Sequence, residues 1–136
     1  MQKLYIIPTP VTPEIIFSPE ENIFIIRGTS CPEDVRAMYY PVIEWIKHFI
    51  NDLIEGEHNI YTAENPLNFK VDMHYFNSSS AKFFYDIFLE MKKLSTSGIP
   101  VSIEWHYDEE DTDLQEAGYD IALMADMEFT YVPKKK

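Results

Sequence analysis

The order of apolar patterns along the chain predicts an α/β fold on the α+β borderline, a mixed β-sheet of about five strands with helices packed mainly on one face. Three observations carry this. Stretches with an apolar residue at every second position alternate with two long stretches whose apolar residues recur every three or four, in the order β-β-α-β-α-β-(α)-β. The strand-like stretches are polar on their alternate positions, so only one sheet face is built for burial. With 136 residues and 46% hydrophobic content, residues 1–136 suffice for one core, and the chain is read as one domain.

The segment up to Val11 contains Pro8 and Pro10 and reads as an extended arm or edge strand, because proline cannot donate to a sheet ladder. Thr12 to Phe17 and Ile23 to Gly28 are rich in isoleucine and phenylalanine and are joined by Ser18-Pro19-Glu20-Glu21-Asn22, which has the composition of a hairpin loop. Gly28-Thr29-Ser30-Cys31-Pro32-Glu33-Asp34 then opens a helix, with Ser30 or Cys31 just outside it and two acids at its positive end. Its apolar stripe runs from Val35 through Trp45 and Phe49 to Ile54, and Gly56 is a plausible stop. Pro41 deletes one backbone hydrogen bond, which predicts a kink or a fresh start near Tyr40.

A polar loop from about Glu57 to Asn65 leads to Leu67, Phe69, Val71, Met73 and Tyr75, which alternate with polar residues as one buried strand face. After Asn77-Ser78-Ser79-Ser80, a second amphipathic helix runs from Phe83 to Leu94 and is closed by Gly98 and Pro100. Val101 to Tyr107 repeats the half-buried strand pattern. Asp108 to Asp113 reads as an acidic loop, Leu114 to Leu123 as a short helix, and Met127 to Val132 as a final strand. The β-α-β connections are expected to be right-handed crossovers between parallel strands.

A formal net charge of −12 repels phosphate backbones and anionic membranes at long range, so neither nucleic acid nor a membrane is expected as a partner. The basic cluster Lys134-Lys135-Lys136 lacks interleaved aromatics and reads as a solvated tail. A lone cysteine, Cys31, permits no internal disulfide, and the N-terminus has no signal-peptide core, which together predict a cytoplasmic protein.

Chemistry concentrates where a strand turns into a helix. At Asn77, Ser78, Ser79 and Ser80 such a junction turns unpaired N–H groups and a positive dipole end outward. A phosphoryl group there would add about −1.5 to −2 charges and could be received by those amides. Lys82, four residues beyond Ser78, could lie over the same turn. Helix capping accounts for the same residues without signalling, since Asn and Ser are favoured N-caps.

The chain resembles the SiaC family of bacterial regulatory phosphoproteins. The shared features run in order from about Thr12 to Phe129: Thr12-Pro13-Glu14-Ile15 with Phe17, Gly28 to Asp34, Tyr40-Pro41-Val42-Ile43-Glu44-Trp45, Tyr75 to Lys82, and Val101 to Tyr107 followed by Asp111, Asp113, Glu116 and Gly118. The resemblance implies a fold similar to the anti-sigma-factor antagonist (STAS) domain and a non-enzymatic role in partner switching. In that scheme a protein kinase phosphorylates a hydroxyl at the strand-to-helix turn, a PP2C-type phosphatase removes it, and the unmodified form binds a target. For the family's namesakes that target is a diguanylate cyclase, which places the chain in cyclic di-GMP signalling. Position in the Asn-(Thr/Ser)-Ser-Ser pattern puts the acceptor on Ser78. The family more often has threonine there, so Ser79 and Ser80 remain open. Asn77, Ser79, Ser80, Lys82, Asp111 and Asp113 are the expected partner-binding residues.

The alternative from another class is a small serine hydrolase using Ser78 with His74 or His106, although the Gly-x-Ser-x-Gly pattern of a nucleophile elbow is absent. The acidic residues from Asp108 to Glu116 lack the glycine and terminal glutamate of an EF-hand loop and read as a solvated loop, so neither metal nor cofactor is expected.

Overall fold

The computed structural model describes residues 2–56 and 58–135; Met1, Glu57 and Lys136 lie outside the described residues, and with them the first residue of the expected polar loop and the last lysine of the tail. The elements are β1 (Leu4–Ile6), β2 (Glu14–Ser18), β3 (Ile23–Ser30), α1 (Val35–Glu55), β4 (Leu67–Phe76), α2 (Ser78–Thr96), β5 (Val101–Asp108), α3 (Thr112–Ala125) and β6 (Thr130–Lys134). The six strands among the described residues join one mixed sheet, whose spatial order β1-β2-β3-β4-β5-β6 is the order of the sequence. The first three pair antiparallel, and β3, β4, β5 and β6 run parallel. Each helix is therefore a crossover between neighbouring parallel strands, always stepping the same way across the sheet. Crossovers of one hand that step one way land on one face, which explains why the helices share a side. The expected N-terminal arm supplies the sixth strand at the edge.

One sheet face is apolar and the other mixed. Ile15, Phe17, Phe24, Ile26, Leu67, Phe69, Val71, Ile103 and Trp105 are buried under the helices, which answer with Tyr39, Val42, Phe49, Phe84, Ile87 and Phe88. Burying such side chains contributes about 1.5–3 kcal/mol each. On the other face Arg27 pairs in register with Asp72 and Asp72 with His106, and Lys134 reaches across from β6 to form an ion pair with Asp72.

Helix α1 departs from expectation twice. Its N-cap is Asp34, whose Oδ1 accepts the Ala37 N–H at 3.1 Å, whereas Ser30 is still strand and Cys31 lies between. The helix does not start afresh at Pro41; it runs unbroken from Val35 to Glu55. The carbonyl that loses its N–H belongs to Ala37, which is exposed, so water can take the bond, while Tyr39 and Val42 are fully buried on the opposite side and hold the helix to the sheet. Helix α3 starts earlier than expected, with Asp111 as its cap, and the last strand starts later, because Met127 bonds back to Ala122 before the chain extends.

The period-two reading of β4 fails at its end. Gly28 pairs with Met73 but Thr29 pairs with Tyr75, so His74 is an extra residue in the ladder, a β-bulge. Gly28 has φ +114, a conformation side chains oppose, which suits it to this point. One inserted residue reverses the facing of every later residue in the strand. Tyr75, expected inside, is 53% exposed, and Phe76 turns inward onto Phe84 and Trp105 at 5.0 and 5.9 Å between ring centroids.

No helix among the described residues is long and apolar enough to cross a membrane. Gly118 lies where α3 crosses Trp105: a Cβ there would stand 2.7 Å from the indole ring, which is fully buried and donates to the Leu114 carbonyl at 3.1 Å. Gly118→Ala is expected to lower unfolding free energy by about 2 kcal/mol, the usual cost of overpacking, in urea denaturation; an unchanged midpoint would contradict this packing.

Candidate functional site

The bulge sets the geometry of the β4–α2 turn. Because Phe76 points inward, Asn77 leaves the sheet extended, with φ −86 and ψ 172, and its N–H donates to the Ser30 carbonyl at 3.1 Å. Its side chain caps α2 by accepting the Ser80 N–H at 2.9 Å, and the first helical bond runs from the Ala81 N–H to the Asn77 carbonyl at 3.0 Å. The N–H groups of Ser78 and Ser79 thus precede the helical ladder.

The three serines part company here. Ser78 and Ser79 are exposed, whereas Ser80 is fully buried. Ser80 therefore cannot touch a partner in this conformation, unlike the surface residue expected of it. Its hydroxyl lies 3.1 Å from the Ser30 carbonyl and 2.8 Å from the Ser30 hydroxyl, which lies 2.6 Å from the Tyr39 hydroxyl. Each hydroxyl has one hydrogen, and a carbonyl can only accept. Ser80 then donates to the carbonyl, Ser30 to Ser80, and Tyr39 to Ser30, so one directed chain satisfies all three. Burial pushes the Tyr39 phenol up to about 12, partly offset by the neighbouring Ser30 and Ser80 hydroxyls.

Lys82 does not lean back over Ser78: its ammonium pairs with Asp86 at 2.7 Å and sits 5.0 Å from the centre of the Phe83 ring. Asp111 is committed to capping α3, accepting the Leu114 N–H at 3.0 Å, and Asp113 is exposed in the first turn of that helix. Both line an open crevice of about 780 Å³ together with Arg27, Asp72, His74 and Lys134. The serine turn is not part of that crevice. The two regions follow adjacent parallel strands, β4 and β5, and so lie at the same end of the sheet.

Neither histidine is arranged as a base for Ser78. His106 bonds Glu104 on its own strand at 2.9 Å, His74 is the bulged residue lining the crevice, and among the described residues no hydrogen bond joins either to a serine of the turn. Sequence reasoning missed Ser30 and Tyr39 as partners of the turn. A serine ending an apolar strand was a faint sign, but nothing in a local pattern pairs positions 50 apart.

A mixed sheet carrying three helices on one face among the described residues, with two exposed serines at a strand-to-helix turn, defines a small α/β protein. The chain belongs to the SiaC family of regulatory phosphoproteins, whose model matches residues 6–134. An uncharacterised protein of Pseudomonas aeruginosa (strain UCBPP-PA14) is 31% identical over 108 residues, covering 79% of this chain and 78% of that one. The solved structure of apo-SiaC from Pseudomonas aeruginosa is similar with a TM-score of 0.78 and 27% identity, covering 98% of this chain and 99% of the other. SiaC in complex with the diguanylate cyclase SiaD, of which it is the activator, is similar with a TM-score of 0.78 and 26% identity over the same shares.

The Tyr39 phenol makes stability sensitive to alkali. In the unfolded chain tyrosine ionises near 10.0, whereas folded Tyr39 keeps its proton to about 12, so the unfolded state loses protons first. Stability is then expected to fall as pH rises through this window, by up to about 1.4 kcal/mol per pH unit for this residue. Urea denaturation across the range should show that Tyr39→Phe flattens the decline; an identical slope would contradict the buried phenol.

Proposed function

We propose that this chain is a non-catalytic, cytoplasmic regulator of cyclic di-GMP signalling that binds a diguanylate cyclase in its unmodified form and is switched by reversible phosphorylation of Ser78. A protein kinase adds the phosphoryl group and a PP2C-type phosphatase removes it. The observation that carries this reading is the exposure of Ser78 at the first position of α2, beside two amides that precede the helical ladder. A dianion is stabilised at such an end, so the modification is tolerated by the fold while the surface changes charge. The likeness to an activator bound to its cyclase supports the choice of partner.

The partner-facing surface comprises Asn77, Ser79 and Lys82 around the turn, with Asp111 and Asp113 at the same end of the sheet. Ser80 contributes from below by holding the turn. No moving part is required. The protein already carries a net charge of −12, and a further dianion at a docking edge repels or desolvates an apolar or acidic contact.

The test is capture of a diguanylate cyclase from the same host. Ser78→Ala is expected to bind it as the unmodified protein does and to stay bound when the kinase is present. Ser78→Asp is expected to bind about tenfold more weakly, equivalent to about 1.4 kcal/mol. Equal capture by both variants, with kinase present, would sink the assignment of Ser78.

A further inference from the structure

Three elements contribute side-chain hydroxyls to one cluster beneath the serine turn. Ser30 ends β3, Tyr39 lies in the second turn of α1, and Ser80 lies in the first turn of α2. All three residues are fully buried, and their oxygens form one directed chain at 2.6, 2.8 and 3.1 Å. An apolar junction could have filled this space without polar groups to satisfy. A buried polar chain instead specifies one arrangement, because any displacement of the turn strands a hydroxyl without a partner, at a cost of about 1–3 kcal/mol.

We infer that the Tyr39–Ser30–Ser80 chain is a positioning device that restricts the phosphorylation acceptor, holding Ser80 out of reach while Ser78 and Ser79 stay presented. This rests on the reading of Ser78 as acceptor and deepens it. Three successive serines offer a kinase chemically equivalent hydroxyls, and how the turn is held decides which of them are within reach. The chain ties the third serine inward, and the Asn77 cap ties the same residue's amide, so Ser80 is fixed by both its backbone and its side chain. Ser78 and Ser79 are then left on the outside of the first turn. Tyr39 extends the hold into α1, where its ring stacks on Phe83 at 5.5 Å and meets Phe84 edge-on at 5.8 Å. The phenol thereby fixes the spacing of the two helices at the level of the turn. Tyr39 and Ser30 act through Ser80, as positioning residues that touch no partner.

The experiment expresses the full chain in its native host as the unaltered protein, Tyr39→Phe and Ser30→Ala, and measures by peptide mass spectrometry how phosphoryl groups divide among Ser78, Ser79 and Ser80. Tyr39→Phe keeps the ring contacts and deletes one hydroxyl, and Ser30→Ala removes the middle of the chain, so either variant that melts cooperatively carries the test. The expected result is a fall of about fivefold or more in the ratio of Ser78 plus Ser79 to Ser80, the factor that corresponds to one typical buried hydrogen bond. A folded variant whose ratio stays within about twofold of the unaltered protein overturns the inference, since a merely structural hydroxyl would lower stability without redistributing the modification. Unaltered protein modified mainly on Ser80 also overturns it. Modification mainly on Ser79, moving to Ser80 in the variants, would overturn the choice of Ser78 while supporting the positioning role.

Discussion

The one-residue slip between β3 and β4 governs the end of the sheet on which function is proposed. His74 stands in the ladder without an opposite number, beside a glycine at φ +114, and from there β4 presents the reverse faces to core and solvent. Phe76 turns in to close the core against Phe84 and Trp105, and Tyr75 turns out. Asn77 then arrives beside the end of β3, close enough to donate to the Ser30 carbonyl, and α2 begins with its serines at that end of the sheet. Without the slip, alternation would have put Tyr75 in the core and Phe76 in water, and the turn would leave the sheet facing the other way.

Given that placement, the turn combines rigidity below with openness above. The buried hydroxyl chain and the Asn77 cap hold Ser80, while the positive end of α2 faces solvent with two uncommitted amides. Rigidity lets a local charge be read locally: a phosphoryl group on a floppy loop could swing away from a docking partner, whereas one on a clamped first turn cannot. Openness would let a group be added and removed there without disturbing the core. The nearby crevice, which Asp111 and Asp113 help to line, lies at the same end of the sheet.

Much of the architecture is legible in the chain because sheet and helix periods are local. The alternation in β4 and β5, the stripes of α1 and α2, and the polar reverse face of the sheet lead to a mixed sheet with helices on one side. The features that escape a local pattern depend on distant neighbours. Tyr75 reads as buried because period two cannot register an inserted residue, and only Gly28, on another strand, marks the place. Pro41 reads as a break because one lost hydrogen bond is visible in the sequence, whereas the burial of Tyr39 and Val42 on either side of it is not. At the site, the serine-rich turn and its Asn cap can be read directly. The division between exposed Ser78 and Ser79 and buried Ser80 cannot, since Ser30 and Tyr39 come from other elements.

The central claim is electrostatic: the first turn of α2 welcomes a dianion although the protein as a whole repels one. Phosphorus NMR of the chain phosphorylated on Ser78, followed through a pH titration, tests it most directly. The amides at the helix end should hold the second phosphate pKa below the value of about 6 usual for phosphoserine. A value at or above that level would mean that the overall charge of −12 prevails over the helix end, and would contradict the account.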